Sequence, residues 1–422
     1  MKRAIILVLD GLRRDSVTAE AMPNLHALSR RGAWFAAHRS VFPSVTRCCS
    51  TAFSTGCHPA RNGIQGNTVA LAESGRLVLR DVGEPDFLDH KQAATGTKVE
   101  VPTTADRVAA HGGFAIYSNG SPGSCRVHDP NGIAHVRNRV SGWGGADPGA
   151  LGTTVDAAGD AALIRRYVAE AVNGPFAVTV AWCCEPDHRQ HEVPLGSPEA
   201  LAMLRQADER VAEVAAAVET RRAAGEDILF LVASDHGHDS VEAVVDVNAV
   251  LEEAGIRRGP DDDGLLTVAN GNTSLLYALP DRSADAARAL DLLRQKDWAG
   301  TVMDAGGLRA HGQAGRHNLF GAVALRSRDE PNEYGVRGLC VMAKPDFGKP
   351  DRLGNGMHGA LGVGEQGPTL LAIGGGFAAG VVTAPSSLVD IAPTVLAHLG
   401  LPADGMDGRP LQAVGAAAGL AA

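Results

Sequence analysis

The chain has 422 residues, a formal net charge of -9 and a pI ≈ 5.9, with 45% hydrophobic and 21% charged residues. At about 150 residues per domain, this length means two or three domains or one large domain with an insertion, and the composition excludes a disordered chain. Only 4% of residues are aromatic and no Lys/Arg cluster stands out, which excludes a nucleic-acid-binding scaffold, while an odd seven cysteines exclude a fully paired disulfide framework and fit a reducing compartment.

Behind Met1, Lys2 and Arg3 runs the apolar stretch Ala4–Leu9, ended by Asp10. It is too short for a signal peptide and has no cleavage site after it, so it predicts a strand buried on both faces and a cytoplasmic protein. Met22–Arg31 and Thr103–His111 carry helical patterns, and Phe114–Tyr117 reads as the next strand. Asp160–Val172 predicts a helix, Phe176–Trp182 a strand, Pro198–Arg222 a helix with one apolar face, and Ile228–Ala233 a strand. Alternating strands and helices predict a mostly parallel central sheet flanked by helices, an α/β fold.

From Ser240 to Asn355 the pattern changes. Val244–Ala254 and Ala284–Leu293 predict helices, Thr273–Leu279 a strand, and His311–Asn318 and Ser327–Tyr334 are polar and turn-rich. Thr369–Ile373 then resumes the main sheet, Leu388–Leu399 closes it with a helix, and the Gly/Ala-rich tail after Arg409 is expected to fray. The expected organisation is a core of residues 1–239 and 356–422, interrupted by a smaller α+β cap at 240–355. No stretch approaches the roughly 18 apolar residues of a membrane span.

Ligands of parallel sheets bind outside the carboxyl ends of the strands. Three predicted strand ends are polar here: Asp10, Asp187, and the pair Asp235 and His236. With His191 and His358 these make a set of nitrogen and oxygen ligands suited to zinc. Singly, each has an ordinary alternative: a carboxylate capping a helix, or a surface histidine. The segment Phe42 to Gly56 adds Thr46, placed before a probable short helix. A helix N-terminus suits an anionic phosphoryl group, and a metal on the hydroxyl would make it a nucleophile. From this segment alone, a plain N-cap is an equal reading.

Together these residues resemble the alkaline phosphatase superfamily, most closely its nucleotide pyrophosphatase/phosphodiesterase and phosphonoacetate hydrolase branches. The resemblance spans nearly the whole chain. It rests on Leu9-Asp10-Gly11; on Phe42, Pro43 and Thr46 followed by Ser54-Thr55-Gly56, Pro59 and Gly63-Ile64; on Glu185-Pro186-Asp187 and His191; on Ser234-Asp235-His236-Gly237; and on His358-Gly359. Val389 to Thr394, Gly400 to Pro402 and Met406 to Gly408 also look like the superfamily's closing helix and loop. The resemblance implies two Zn2+, with Mn2+ or Fe as replacements. Asp187, His191 and His358 would hold one ion. Asp10, Asp235 and His236 would hold the other, with Thr46 reaching it as nucleophile. Asn67 would donate to a phosphoryl oxygen. The implied activity is hydrolysis of phosphodiester or nucleotide-type esters through a phosphothreonine.

Some features depart from the pattern. Cys57, Pro59 and Arg61 spell a sulfatase-like motif, but Cys57 follows the Thr55-Gly56 pair, whereas the modified cysteine of sulfatases precedes it. The pairs Cys48-Cys49 and Cys183-Cys184 read as small core residues. Arg47 follows the nucleophile where many phosphodiesterases carry an aromatic. Arg47, Asn119, Arg126 and His238 are candidate substrate contacts, and His238 and His188 are also candidates for extra metal ligands. The alternative activity is C–P bond hydrolysis of the phosphonoacetate type. Those enzymes hold the substrate carboxylate with lysines after the second core strand, and the matching stretch Ser118 to Arg126 has none. A pseudoenzyme that only binds metal is disfavoured, because every ligand and the nucleophile are present. The leaving-group pocket is expected from the 115–145 loops and the insert. The expected partner is a small phosphate or phosphonate ester. No nucleic acid or membrane is expected, and a homodimer is compatible with the chain.

Overall fold

The computed structural model describes residues 2–140 and 150–413. The end of the Gly/Ala-rich tail and part of the expected 115–145 pocket fall outside these. The main sheet has eight strands in the order Gly380–Val382, Ala33–Phe35, Leu370–Ile373, Asp227–Ala233, Lys2–Leu9, Val178–Cys183, Phe114–Ser118 and His135–Asn138. The five strands from Asp227–Ala233 to His135–Asn138 are mutually parallel. Leu370–Ile373 runs antiparallel to its neighbours, so the sheet is mostly parallel.

The first strand shows why an unbroken apolar run becomes the centre of such a sheet. Successive side chains point to opposite faces, and here both faces are covered. Ala4, Ile6 and Val8 join one core with the helices Thr46–Thr55 and Ile391–Leu399. Ile5, Leu7 and Leu9 join a second core with the helices Ala157–Tyr167 and Pro198–Ala223. Each fully buried Ile or Leu contributes about 1.5–3 kcal/mol.

Residues 239–357 build two further four-stranded sheets. One has the order Ser327–Pro331, Arg337–Ala343, Asp239–Val245, Gly356–Met357. The other runs Leu265–Asn270, Thr273–Ala278, Leu319–Leu325, Ala299–Met303. The hairpin Thr68–Glu73 and Arg76–Asp81 packs its Val69, Leu71 and Leu77 against Leu266, Val268 and Tyr277, so this unit is welded to the rest by a shared core. The helix expected over 244–254 spans only Val247–Glu253, because Asp239–Val245 pairs in parallel with Arg337–Ala343. The turn-rich 327–334 segment begins as a strand for the same reason: Ser327–Pro331 pairs with Arg337–Ala343 on its other edge. In both places sheet pairing overrides local propensity.

Asp160 connects this architecture to the chemistry. Fully buried, it accepts from the backbone N–H groups of Cys184 and Glu185 at 3.0 Å each and from Asn119 Nδ2 at 2.9 Å. It thereby fixes the chain that leaves Val178–Cys183 toward Asp187. Asp160→Ala is expected to lower unfolding stability by about 3 kcal/mol, because buried donors lose their acceptor. Urea denaturation measures this, and a loss below about 1 kcal/mol would remove Asp160 as the anchor.

Candidate active site

Asp10 directly follows Lys2–Leu9, Asp235 lies just past Asp227–Ala233, and Asp187 opens the short helix Asp187–Gln190 after Val178–Cys183. These three strands are neighbours in the sheet, about 4.8 Å apart, so their ends bring ligand atoms within reach of one another. The loops are laced together. Asp187 N donates to Asp10 O at 2.9 Å, and Gly11 N donates to Asp235 Oδ1 at 3.1 Å. Gly11 has φ +70°, and a Cβ there would stand 2.7 Å from His238 Nε2 and 3.0 Å from Asp187 Cβ. Only glycine permits this approach.

Two groups of ligand atoms form, each with its atoms within 4.8 Å of one another. In one, Asp10, Asp235 and His236 meet: His236 Nε2 is 3.4 Å from Asp10 Oδ1 and 3.2 Å from Asp235 Oδ2. In the other, Asp187, His236, His238 and His358 meet, with Asp187 Oδ1 2.9 Å from His238 Nε2 and 3.4 Å from His358 Nε2. His191 Nε2 approaches the same Asp187 oxygen at 3.3 Å. The rings of His236 and His358 stack, with centroids 3.6 Å apart and planes 14° apart.

Hydrogen bonds behind the ligands set their chemical form. His358 Nδ1 donates to Ser44 O at 2.7 Å, His191 Nδ1 to Gly356 O at 2.8 Å, and His236 Nδ1 to Gly237 O at 3.1 Å. A carbonyl can only accept, so in each neutral ring the lone pair is on Nε2, facing the cluster, as a metal requires. Trp182 Nε1 donates to Asp10 Oδ2 at 2.9 Å, which orients that carboxylate. Asp10 Oδ1 and Asp235 Oδ2 are buried and have no hydrogen-bond partner among the described residues.

The electrostatics agree. Burial, then repulsion from Asp235 and Asp187, pushes the Asp10 carboxyl well up. Burial, with Asp187 adding to it, brings Asp235 to about 7. Burial drives His236 and His358 down, and His238 to about 3. Crowded carboxylates with bare oxygens and neutral imidazoles with inward lone pairs suit divalent cations.

Thr46 opens the helix Thr46–Thr55, and its Oγ1 lies 3.1 Å from His236 Nε2. Arg47 N donates to Asn67 Oδ1 at 2.8 Å, which leaves the Asn67 amide Nδ2 to face the cleft. Asn67 N in turn donates to Asn270 Oδ1 at 2.6 Å, and Asn270 Nδ2 to Thr68 O at 2.9 Å. The cleft of about 280 Å³ is lined by Thr46, Arg47, Asn67, Asp187, His191 and His358 on one side, and on the other by 269–271 and 342–352 of the inserted sheets.

Other candidates lie elsewhere. His238, expected as an extra ligand or a substrate contact, is wholly buried behind Asp187 and stands with the ligand cluster. Asn119 is turned inward onto Thr154 O and Asp160. Arg126 pairs with Asp89 at 3.2 Å, outside the cleft lining. His188 points toward Glu192 at 3.6 Å. Arg61 pairs with Asp407 at 2.8 Å, and Cys57 is buried beside Gly405, so the sulfatase-like motif is a structural turn. Cys48, Cys49, Cys183 and Cys184 are all buried. Sequence reasoning passed over Ser44, Asn270, Lys349 and Arg352. Asn270-Gly271 between two apolar runs carried a hairpin signal, and Gly271 has φ +63°. The other three carried none.

The family model of the type I phosphodiesterase / nucleotide pyrophosphatase matches residues 4–337. The chain belongs to that family. It is therefore a hydrolase acting on phosphoric esters, in a metal-dependent family, with the alkaline-phosphatase-like fold. Similar solved structures include murine ectonucleotide pyrophosphatase/phosphodiesterase 5, as an inactive variant in complex with AMP. That structure is 16% identical, with a TM-score of 0.70, and the match covers 98% of this chain and 100% of that one. The human counterpart is 14% identical with a TM-score of 0.66, covering 98% and 99%. No sequence among curated proteins matches this chain. Among the described residues, no helix is long and apolar enough to cross a membrane.

A pH dependence follows for this phosphodiesterase-family protein. Asp235 titrates near 7 in the folded, metal-stripped state against 3.8 for a free side chain. At Asp235 the folded state then holds more protons than the unfolded chain between those values, so its contribution to stability is greatest at the acid end and is lost as pH rises through about 7, while the lowered imidazoles of His236, His238 and His358 act in the opposite sense. The Asp235 share is read as a difference: chelator-treated wild type should lose stability relative to Asp235→Asn as pH rises from 4 to 7, by at most about 1.4 kcal/mol per unit for one proton. Added divalent metal should raise the melting temperature most at the upper end. A flat profile with no response to metal would contradict the site.

Proposed function

We propose that the protein is a di-zinc phosphohydrolase that cleaves phosphodiester or nucleotide-type bonds through a covalent phosphothreonine at Thr46. The observation that carries this is the position of Thr46 Oγ1, 3.1 Å from His236 Nε2 at a helix N-terminus and in one cleft with Asn67. Asp187, His191 and His358, with His238 beside them, would hold one ion. Asp10, Asp235 and His236 would hold the other. Mixed Asp/His sets of this kind suit zinc, with Mn2+ or Fe as replacements. Bound divalent ions supply Lewis acidity and lower the pKa of a coordinated hydroxyl.

The chain's own residues do the rest. Thr46 Oγ forms the new P–O bond as the bond to the leaving oxygen breaks, and water later returns the phosphoryl group to solution. Asn67 holds a non-bridging oxygen through the amide hydrogens left free when its Oδ1 accepts from Arg47 N. The free N–H groups of the first helical turn favour the anion. AMP, bound in the murine relative's inactive variant, supports a nucleotide-type substrate. The division into a core and a 240–355 cap is part of the proposal. It is supported by the pairing of the entering and leaving strands, Asp239 with Met357 and Ser240 with Gly356. The seven buried, unpaired thiols support a reducing, cytoplasmic setting.

The C–P hydrolase reading gains nothing from the Ser118 to Arg126 segment, whose Asn119 and Arg126 are engaged away from the cleft. Turnover of bis-p-nitrophenyl phosphate, p-nitrophenyl phosphate and phosphonoacetate by one preparation separates the readings. The diester is expected to react fastest, and sole turnover of phosphonoacetate would overturn the phosphodiesterase assignment. Thr46→Ala should lose at least about a thousandfold in kcat while retaining its metal. Asn67→Ala should lose about a hundredfold. Normal burst and steady-state rates in Thr46→Ala would exclude Thr46 as nucleophile.

A further inference from the structure

The net charge of -9 is not the charge of the cleft. Apart from Asp187, its charged lining is Arg47, Lys349, Arg352 and Asp346. Asp346 is committed to the fold: its Oδ2 accepts from Ala269 N at 2.8 Å, and burial raises its carboxyl to about 6. Lys349 and Arg47 share a single carboxylate. Lys349 Nζ lies 2.6 Å from Asp81 Oδ2, and Arg47 helps hold that same Asp81 below its ordinary value while its own Nε donates to Ser121 Oγ at 3.1 Å.

Arg352 differs from both. Its Nη1 donates to the backbone carbonyl of His191 at 3.2 Å, and no carboxylate lies within 4.0 Å of it among the described residues. Arginines drawn into the fold are often compensated by acids here. Arg282, for example, pairs with Asp262 and Asp285 at 2.7 Å each. A guanidinium is a fixed fork of donors that matches the two oxygens of a carboxylate or a phosphate. One anchored beside a cluster residue, unpaired and facing a cleft, is a place for an oxyanion from outside the chain.

We propose that Arg352, on the 342–352 wall, forms a second oxyanion subsite beside the reacting phosphoryl position. The preferred substrate then carries a second anionic group, carboxylate or phosphate, on the arm that extends toward that wall. This deepens the phosphoesterase reading and rests on it. The subsite comes from the inserted unit, whereas the nucleophile comes from the main sheet, so substrate choice and chemistry reside on different elements of one cleft.

The test compares 4-nitrophenyl phosphodiesters whose second arm is ethyl, 2-carboxyethyl or 2-phosphonoethyl, assayed with zinc-loaded protein by release of the same 4-nitrophenolate. Binding is read separately by calorimetry on zinc-loaded Thr46→Ala protein, with propylphosphonate against 3-phosphonopropionate and propane-1,3-bisphosphonate. The charged arms should be favoured by about tenfold or more in kcat/KM and in affinity, in line with a charged hydrogen bond. Arg352→Gln should bring both ratios within about twofold of unity, and Arg352→Lys should restore part of the preference. The ranking of carboxylate against phosphate arms identifies the group. A wild-type ratio near one, or a preference that survives Arg352→Gln, overturns the subsite. Absence of turnover on every diester, with the calorimetric preference intact, would instead overturn the phosphoesterase reading and leave the anion subsite standing.

Discussion

Burying Asp10, Asp187 and Asp235 at the ends of three adjacent strands is the constraint on which this protein is built. Each carboxylate alone would resist burial, and together they repel. The fold answers with imidazoles from three loops and with a Trp182 N–H on Asp10, yet Asp10 Oδ1 and Asp235 Oδ2 stay without hydrogen-bond partners among the described residues. The residual repulsion is a standing demand for positive charge. Much of the surrounding structure is arranged to keep it unrelieved by the protein itself.

That arrangement explains features that look incidental one by one. Gly11 lets the first loop pass under His238 and Asp187. Asp160 pins the turn that delivers Asp187. Ser44 receives both His358 Nδ1 and, through its hydroxyl, Gly359 N, two residues before Thr46. The buried Glu365 then ties Ser44 Oγ to the N–H groups of Ala360 and Gly362. Thr46 and the His358 loop are thus held by one network, and their separation is set by backbone rather than by flexible side chains.

The core of this was legible in the sequence because it obeys short-range rules. Ala4–Leu9 and Ile228–Ala233 are apolar runs that can only be central strands, and Asp10 and Asp235 stand where parallel sheets expose their ligands. Thr46 and Asn67 were legible through resemblance. The inserted sheets were less so, because Asp239–Val245 and Arg337–Ala343 pair across about a hundred residues of intervening chain, and no local pattern encodes that register. Whether His238 is a ligand or a substrate contact stays open in the sequence for a related reason. Its sequence neighbours give its position, but only the crossing of the Asp187 loop turns its ring inward. Asn119 and Arg126 stand in a polar stretch whose local pattern does not reveal that Asp160 and Asp89 claim them.

Asn67 takes its backbone placement from Asn270, 203 residues later in the chain. The inserted unit is thus no removable attachment. A chimera that exchanged this unit for a relative's would keep or lose the placement of Asn67 according to what stands at that one hairpin corner. Change in the inserted wall of the cleft is therefore tethered to a position that also places Asn67 on the opposite wall.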